Sequence, residues 1–172
     1  VFVSAWEQDE RLRVALLAPD GSWLEDVPVD PLERPAAITL AAYPGRAGVL
    51  VSRYVDEPET RDQWFLLLDD LGNVLTPAHP IDVEYASWQR LVGTESGWLH
   101  VRPNSFDAAS TRQPLDVEGH PTAEATPFSD GRHLDEAGLQ HLFMPRPGLG
   151  EMLLVWQDPL GGDMHVELLD DR

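Results

Sequence analysis

The sequence predicts an all-β fold built from a repeated unit of short strands, and three observations predict it. Short apolar segments recur along the 172 residues between clusters of Pro, Gly and Asp, a pattern that favours strands bounded by turns. A Leu-Asp-x-x-Gly motif closes several of these segments, with a period of roughly 47 to 54 residues that is typical of repeat proteins. No segment has the apolar periodicity of a long amphipathic helix.

The repeated motif is clearest where an apolar strand ends at Leu68-Asp69-Asp70-Leu71-Gly72. Asp can hydrogen-bond to nearby backbone and Gly accepts a positive φ, so the motif predicts a tight hairpin turn. The first copy has Ala18 where the others have Asp, and the last copy stops before its glycine. These further copies are Leu17 to Gly21, Leu115 to Gly119 and Leu169 to Arg172.

Further strands are predicted before each motif-bearing strand. One apolar strand precedes it in every copy, at Val1–Trp6, Val49–Tyr54, Trp98–Arg102 and Met152–Trp156. Another precedes three of those, at Ala37–Tyr43, Ser87–Val92 and Leu139–Met144. With a weaker polar strand after the turn, a full unit has four strands. We expect one domain with units at 1–35, 36–84, 85–137 and 138–172, the first without its opening strand and the last without its closing strand.

Local features set four narrower expectations. Ala36–Ala42 has the composition of a short helix or a strand, and Ile38, Thr39 and Tyr43 favour the strand. Pro77 to Pro80 predicts a break, since proline cannot donate to a sheet ladder. Pro114 predicts a frayed or edge strand at Gln113–Val117. A single helical turn is expected at His133–Gly138.

Charge and cysteine content exclude several classes of function. The net charge is −18, which argues against nucleic acid and anionic membrane surfaces as partners. The negative charge is explained by solubility. The alternative is that it attracts cations or a basic partner. There are no cysteines, so disulfides and thiolate sites are excluded. No run of about 18 apolar residues exists, which predicts no membrane span. Because the sequence begins at Val1 inside a predicted strand, we expect a trimmed part of a longer protein.

The last repeat carries a resemblance to a known class. In Val155-Trp156-Gln157-Asp158 an apolar strand ends in Trp and a polar turn, and the next strand closes on the Leu-Asp motif. This resembles the divergent β-propeller repeats of exported bacterial proteins. The resemblance implies a partial β-propeller of four-stranded antiparallel blades around a central channel, in an exported, cell-surface or periplasmic protein. The alternative is a β-sandwich. A protein partner or the remainder of a larger chain would complete the propeller.

The resemblance also implies that the loops between second and third strands share one face. Their acidic residues could form a rim that binds Ca²⁺ or a basic peptide, although no loop has the Asp spacing of a dedicated calcium loop. Arg53 and Arg102 end equivalent strands, and could bind a carboxylate partner or stabilise contacts between blades. The acidic residues of the rim are Asp56, Asp62, Asp107, Asp158 and Asp163.

No catalytic or metal signature is present. The histidines lack zinc-site spacing, and the sequence has no phosphate-binding glycine loop and no Gly-x-Ser-x-Gly turn,. We therefore expect a non-enzymatic protein-interaction or scaffold domain without a cofactor. The alternative is a glycan-binding or glycan-active propeller that uses tryptophans such as Trp156. Two or more exposed tryptophans beside a carboxylate pair in one cleft would favour the glycan alternative, whereas burial of all tryptophans between blades would favour the scaffold. The tryptophans are Trp6, Trp23, Trp64, Trp88, Trp98 and Trp156.

Overall fold

The computed structural model describes residues 2–29, 32–55, 61–86, 89–102, 111–127, 142–146, 151–157 and 164–170. These residues form fourteen strands and no helix. In the last three ranges, the only side chains described are those of Val166 and Leu168. The strands are β1 Phe2–Gln8, β2 Arg11–Leu17, β3 Trp23–Asp26, β4 Pro35–Tyr43, β5 Arg46–Tyr54, β6 Arg61–Asp69, β7 Val74–Ile81, β8 Arg90–Gly93, β9 Trp98–Arg102, β10 Thr111–Leu115, β11 Thr126–Pro127, β12 Leu142–Arg146, β13 Glu151–Gln157 and β14 Met164–Asp170.

The strands form four antiparallel sheets in chain order. Sheet A is β1-β2-β3, sheet B is β4-β5-β6-β7, sheet C is β8-β9-β10-β11 and sheet D is β12-β13-β14. Between sheets, β4 contacts both β1 and β8, and β8 also contacts β12. The sheets therefore follow one another in a row. This confirms the predicted all-β fold and is the arrangement expected of a partial propeller with two four-stranded and two three-stranded blades.

The Leu-Asp-x-x-Gly turn has the same geometry in sheets B and C. In sheet B, one carboxylate oxygen of Asp69 accepts the backbone N–H groups of Leu71 and Asn73, both at 2.8 Å. Gly72 has a φ of 84°. The Asn73 side chain also donates to this carboxylate, which lowers the pKa of Asp69. The aspartate thus takes up N–H groups that the tight turn leaves without strand partners.

The corresponding turn of sheet C repeats these contacts. Asp116 Oδ1 accepts the N–H groups of Glu118 and His120 at 2.9 Å, and Gly119 has a φ of 90°. In sheet A, Ala18 replaces the aspartate, and Asp20 instead accepts the N–H of Ser22. The predicted turn is confirmed in all three copies for which residues are described.

Sheet B is buried on both faces. Toward sheet A, Val49, Val51, Leu66 and Leu68 pack in one cluster with the β2 side chains of Leu12, Val14 and Leu16. Toward sheet C, a second cluster joins Leu50, Phe65 and Leu67 to Leu91, Trp98 and Leu115. Consecutive strand residues point to opposite faces, so a continuous apolar run serves both. Phe65, Leu66, Leu67 and Leu68 are therefore all buried.

The turn glycines pack on the preceding sheet. A Cβ added to Gly72 would lie within 3 Å of the Leu16 side chain, and one added to Gly119 would lie within 3 Å of the Phe65 ring. Glycine is required at both positions by its positive φ and by the close approach of a neighbouring side chain. The repeated motif thus builds the turn and also fits it against the preceding sheet.

Two of the local expectations are corrected. The break at Pro77 to Pro80 is wrong, because β7 runs through it. As the last strand of sheet B, β7 needs no N–H donors on its outer side, and an edge strand tolerates proline. Its pairing with β6 shifts register between Phe65 and Leu67 and again between Leu67 and Leu68.

The strand containing Pro114 lies inside sheet C, and not at its edge. This strand, β10, pairs with β11 only through Thr111 and Arg112. The N–H group that Pro114 lacks is therefore not needed for pairing with β11. The segment 36–42 is a strand, as expected. The helical turn expected at His133–Gly138 lies outside the described residues.

Replacing Gly119 with alanine tests the packing of the turn. The positive φ alone destabilises a non-glycine residue by about 1–2 kcal/mol, and crowding against Phe65 adds about 1–3 kcal/mol. Gly21→Ala is the matched control, because Gly21 has a φ of 82° and nothing within 4 Å of an added Cβ. Urea unfolding should therefore show the larger loss of unfolding free energy for Gly119→Ala. Equal losses would contradict the contact with Phe65.

Candidate functional site

The end of sheet B that joins β5 to β6 holds a paired arginine. Arg53 donates from Nε to one oxygen of Asp62 at 3.1 Å and from Nη2 to the other at 2.6 Å. Burial is the largest single influence and raises the pKa of Asp62, but the hydrogen bonds and charge of Arg53 together with the contact to Trp64 outweigh it, so the pKa of the carboxyl is lowered. The same contact raises the pKa of Arg53. The guanidinium of Arg53 is thus bound by Asp62, which is its cross-strand neighbour within sheet B.

Arg102 takes the equivalent place in sheet C. Its Nε donates to Thr111 Oγ1 at 3.0 Å, and Nη1 forms an ion pair with Glu84. Glu84 belongs to the segment between β7 and β8, so this pair fastens sheet C to its connection with sheet B. Both predicted arginines therefore have internal acceptors, that of Arg53 within its own sheet, and their binding of a carboxylate partner stays a prediction.

A third arginine at this end was missed by sequence reasoning. The guanidinium carbon of Arg61 lies 4.6 Å from the ring centre of Tyr54 and 4.1 Å from that of Tyr85. Arg61 Nη2 also donates to the Tyr54 hydroxyl at 3.0 Å. Tyr54 and Arg61 are cross-strand partners, so their places on either side of one hairpin loop were the available signal. We call Arg53, Arg61, Arg102, Tyr54 and Tyr85 the arginine cluster.

Beneath this end, four buried polar side chains link sheets B and C. Ser52 Oγ donates to Gln63 Oε1 at 3.0 Å. Gln89 Nε2 donates to Ser52 Oγ at 2.8 Å and to Gln63 Oε1 at 3.1 Å. Gln89 Oε1 is then the acceptor for His100 Nε2, at 3.2 Å. We call Ser52, Gln63, Gln89 and His100 the polar seam.

The polar seam holds His100 neutral. Burial, and next the nearby charge of Arg102, lower the pKa of His100 to about 4. Because the Gln89 oxygen can only accept, the proton of neutral His100 lies on Nε2. Gln63 Nε2 and His100 Nδ1 have no hydrogen-bond partner among the described residues. The seam contains no carboxylate and is fully buried, so it orients the two sheets and offers no reactive group to a substrate.

Sheet A has one packed face and one open face. Phe2 and Trp23 are 58% and 54% exposed, and they lie on either side of Leu17 in the strand register. Trp6 contacts Trp23 edge to face, with ring centres 5.3 Å apart. We call Phe2, Trp6 and Trp23 the open aromatic face. At the other end of the row, Val166 and Leu168 of β14 are also exposed.

The tryptophans do not all belong to the core. Trp98 is buried, Trp6 and Trp64 are half-buried, and Trp23 is exposed. Trp88 and the side chain of Trp156 lie outside what the structure describes. Trp6 and Trp23 lie together on a sheet face. Arg13 is the cross-strand neighbour of Trp6.

The predicted acidic rim stays a prediction. Asp62 is bound to Arg53, and the other four acidic residues lie outside the described residues, namely Asp56, Asp107, Asp158 and Asp163. In the described part, no group of three or more His, Asp or Glu residues could hold a metal ion. Nor does that part include a helix that could cross a membrane.

Comparisons with known proteins identify the fold. No family model matches the sequence, and no curated protein does. The structure is similar to two crystal structures of the GH43 protein BlXynB from Bacillus licheniformis, one of them a mutant, each with a TM-score of 0.51 and 10% sequence identity. Each match covers 96% of this chain and 38% of the other, so the chain spans well under half the length of these proteins. GH43 proteins have a β-propeller fold, which supports the partial propeller.

The comparison corrects the expectation that the chain is not an enzyme. The propeller proteins that it resembles are GH43 glycoside hydrolases. The expectation depended on the absence of short catalytic motifs. That argument fails for glycoside hydrolysis, because its two carboxylates are defined by their separation in space and need no shared motif. The likeness itself shows the fold of this chain alone.

Replacing Gln89 with leucine tests the polar seam. The change removes the acceptor of His100 and the donor to Ser52, and unsatisfied buried groups each cost about 1–3 kcal/mol. Chemical denaturation should therefore show a loss of that order. Gln8→Leu is the control, since Gln8 is exposed on β1, and surface changes usually stay within about 0.5 kcal/mol. Comparable losses for both variants would contradict an energetic role for the seam.

Proposed function

We propose that this chain is one part of a larger β-propeller and acts as a protein-interaction domain that completes the ring with further blades. The open aromatic face carries this proposal. The opposite face of sheet A is fully packed on sheet B, whereas Phe2 and Trp23 are more than half exposed. Burying a side chain of this size stabilises an interface by about 1.5–3 kcal/mol.

The occupant that fits this face is another blade sheet. Both described interfaces between neighbouring sheets join apolar side chains, as between β2, β5 and β6. The open aromatic face likewise offers apolar side chains, from β1 and β3. Sheets A and D each have one strand fewer than sheets B and C, and open sheet edges favour pairing with further strands. The matched propeller proteins are more than twice as long as the part that aligns with this chain.

Association of the isolated chain tests this proposal. Sedimentation analysis over a concentration series should show self-association, because the apolar face finds no other cover in solution. Phe2→Ser and Trp23→Ser should each weaken the association at least tenfold, since about 1.4 kcal/mol corresponds to a factor of ten. Leu71→Ser is the control, because Leu71 is 66% exposed but lies in the turn after β6. A wild-type chain that stays monomeric at every concentration would defeat the proposal.

A second candidate is glycan binding at the two tryptophans of the open aromatic face, without Phe2. The Trp6–Trp23 pair favours it, because an exposed indole gives an apolar, flat surface with a polar N–H at its edge. The propeller proteins matched in structure are glycoside hydrolases, which gives the candidate independent support.

A glycan array followed by tryptophan fluorescence separates the two candidates. If the pair binds sugar, Trp23→Ser should lower the affinity at least tenfold, whereas Phe2→Ser should leave it unchanged because Phe2 lies outside the indole pair. If the face instead binds another blade, both changes should weaken self-association of the chain. An array without any bound glycan removes the second candidate.

A further inference from the structure

Positive charge is scarce in this protein, and part of it is gathered at one place. All twelve basic residues are arginines, against 30 acidic residues. Arg53, Arg61 and Arg102 lie at the same end of sheets B and C, in the arginine cluster. Asp62 and Glu84 neutralise two of these three charges. Glu33 adds a further negative charge near Arg53. Among the described residues, Arg61 is the one of the three arginines that forms no ion pair with a carboxylate.

Arg61 is held in place by two tyrosines. Its guanidinium lies against the rings of Tyr54 and Tyr85, and one N–H bonds to the Tyr54 hydroxyl. Among the described residues, no carboxylate forms an ion pair with Arg61. Tyrosine rings against a guanidinium stabilise the cation and restrict its motion. An arginine oriented before binding loses less entropy when a ligand arrives.

The remaining donors of Arg61 suit a carboxylate. A guanidinium has five N–H donors in a planar fork, and Tyr54 uses one,. Such a fork binds a carboxylate through two parallel, charge-assisted hydrogen bonds. A dianionic phosphate would add repulsion from Asp62 and Glu84, which lie in the same cluster. Tyr54 is 42% exposed, so the cluster is accessible from solvent.

We propose that Arg61, oriented by Tyr54 and Tyr85, binds the carboxylate group of a small anionic ligand. An acidic sugar and an N-acylated amino acid share this chemistry. The site lies on sheets B and C, away from the open aromatic face of sheet A, and therefore stands independently of the ring-completion proposal.

The test follows the Arg61 Nε–H resonance by NMR in ¹⁵N-labelled full-length chain. Glucuronate and N-acetylglycinate are the two carboxylate probes, glucose is the neutral control, and inorganic phosphate is the dianionic control. We expect saturable shifts of Arg61 with at least one carboxylate and none with glucose. Tighter binding of glucuronate would identify an acidic sugar, and equal binding would identify the carboxylate alone as the recognised group.

Variants separate recognition from structure. Arg61→Lys keeps the charge but removes the fork, and should raise the dissociation constant at least tenfold. Tyr54→Phe keeps the ring and removes the hydroxyl, and should raise it severalfold. Arg13→Lys on β2 is the control and should leave it unchanged. Unaltered backbone spectra verify folding. The proposal is overturned if neither carboxylate saturates Arg61, if phosphate binds as tightly, or if Arg61→Lys has no effect.

Discussion

Burial of sheet B on both faces is the constraint on which the rest of this structure depends. Its two central strands send alternate side chains into two separate clusters, one shared with sheet A and one with sheet C. Neither neighbouring sheet could be placed without that alternation, because each cluster is completed by the adjacent sheet. Phe65 shows the coupling directly. It packs against Trp98, and Gly119 of the next turn lies against its ring. Hairpin geometry and sheet packing are therefore decided together, through glycines that allow close approach.

Polar contacts also fix the relative position of sheets B and C. Hydrophobic burial is non-directional, whereas the polar seam bonds Ser52 and Gln63 of sheet B to Gln89 and, through it, to His100 of sheet C. A buried network of this kind is satisfied in few relative positions of the two sheets. Burial also keeps His100 uncharged at neutral pH, which avoids an unpaired charge in the interior. The arginine cluster continues the same connection at the surface, where Arg102 reaches Glu84 between the two sheets.

The likeness to GH43 propellers changes how the chain is interpreted. At 10% identity it concerns the fold, and the fold alone leaves function open, because one architecture carries many activities. It does remove the basis for expecting a non-enzymatic protein, since the two carboxylates of glycoside hydrolysis are defined by their separation in space and share no short motif. Function is therefore argued from two surfaces: the apolar face of sheet A, and the guanidinium of Arg61, which forms no ion pair among the residues that the structure describes. The face of sheet A suits an apolar partner surface, and Arg61 suits an anion.

The sequence by itself determined the local structure. Turn chemistry and apolar runs are properties of neighbouring residues, so the Asp-Gly turns, most strand positions and the two incomplete sheets were predictable. The tertiary structure alone decided which strands tolerate proline, as at Pro77 and Pro80, because tolerance depends on being at a sheet edge. It also decided that Arg53 pairs with a carboxylate, whereas Arg61 packs on tyrosine rings and forms no ion pair within the described residues. Pairing depends on which side chains meet across a hairpin and between sheets, and residue identity alone does not specify those distances.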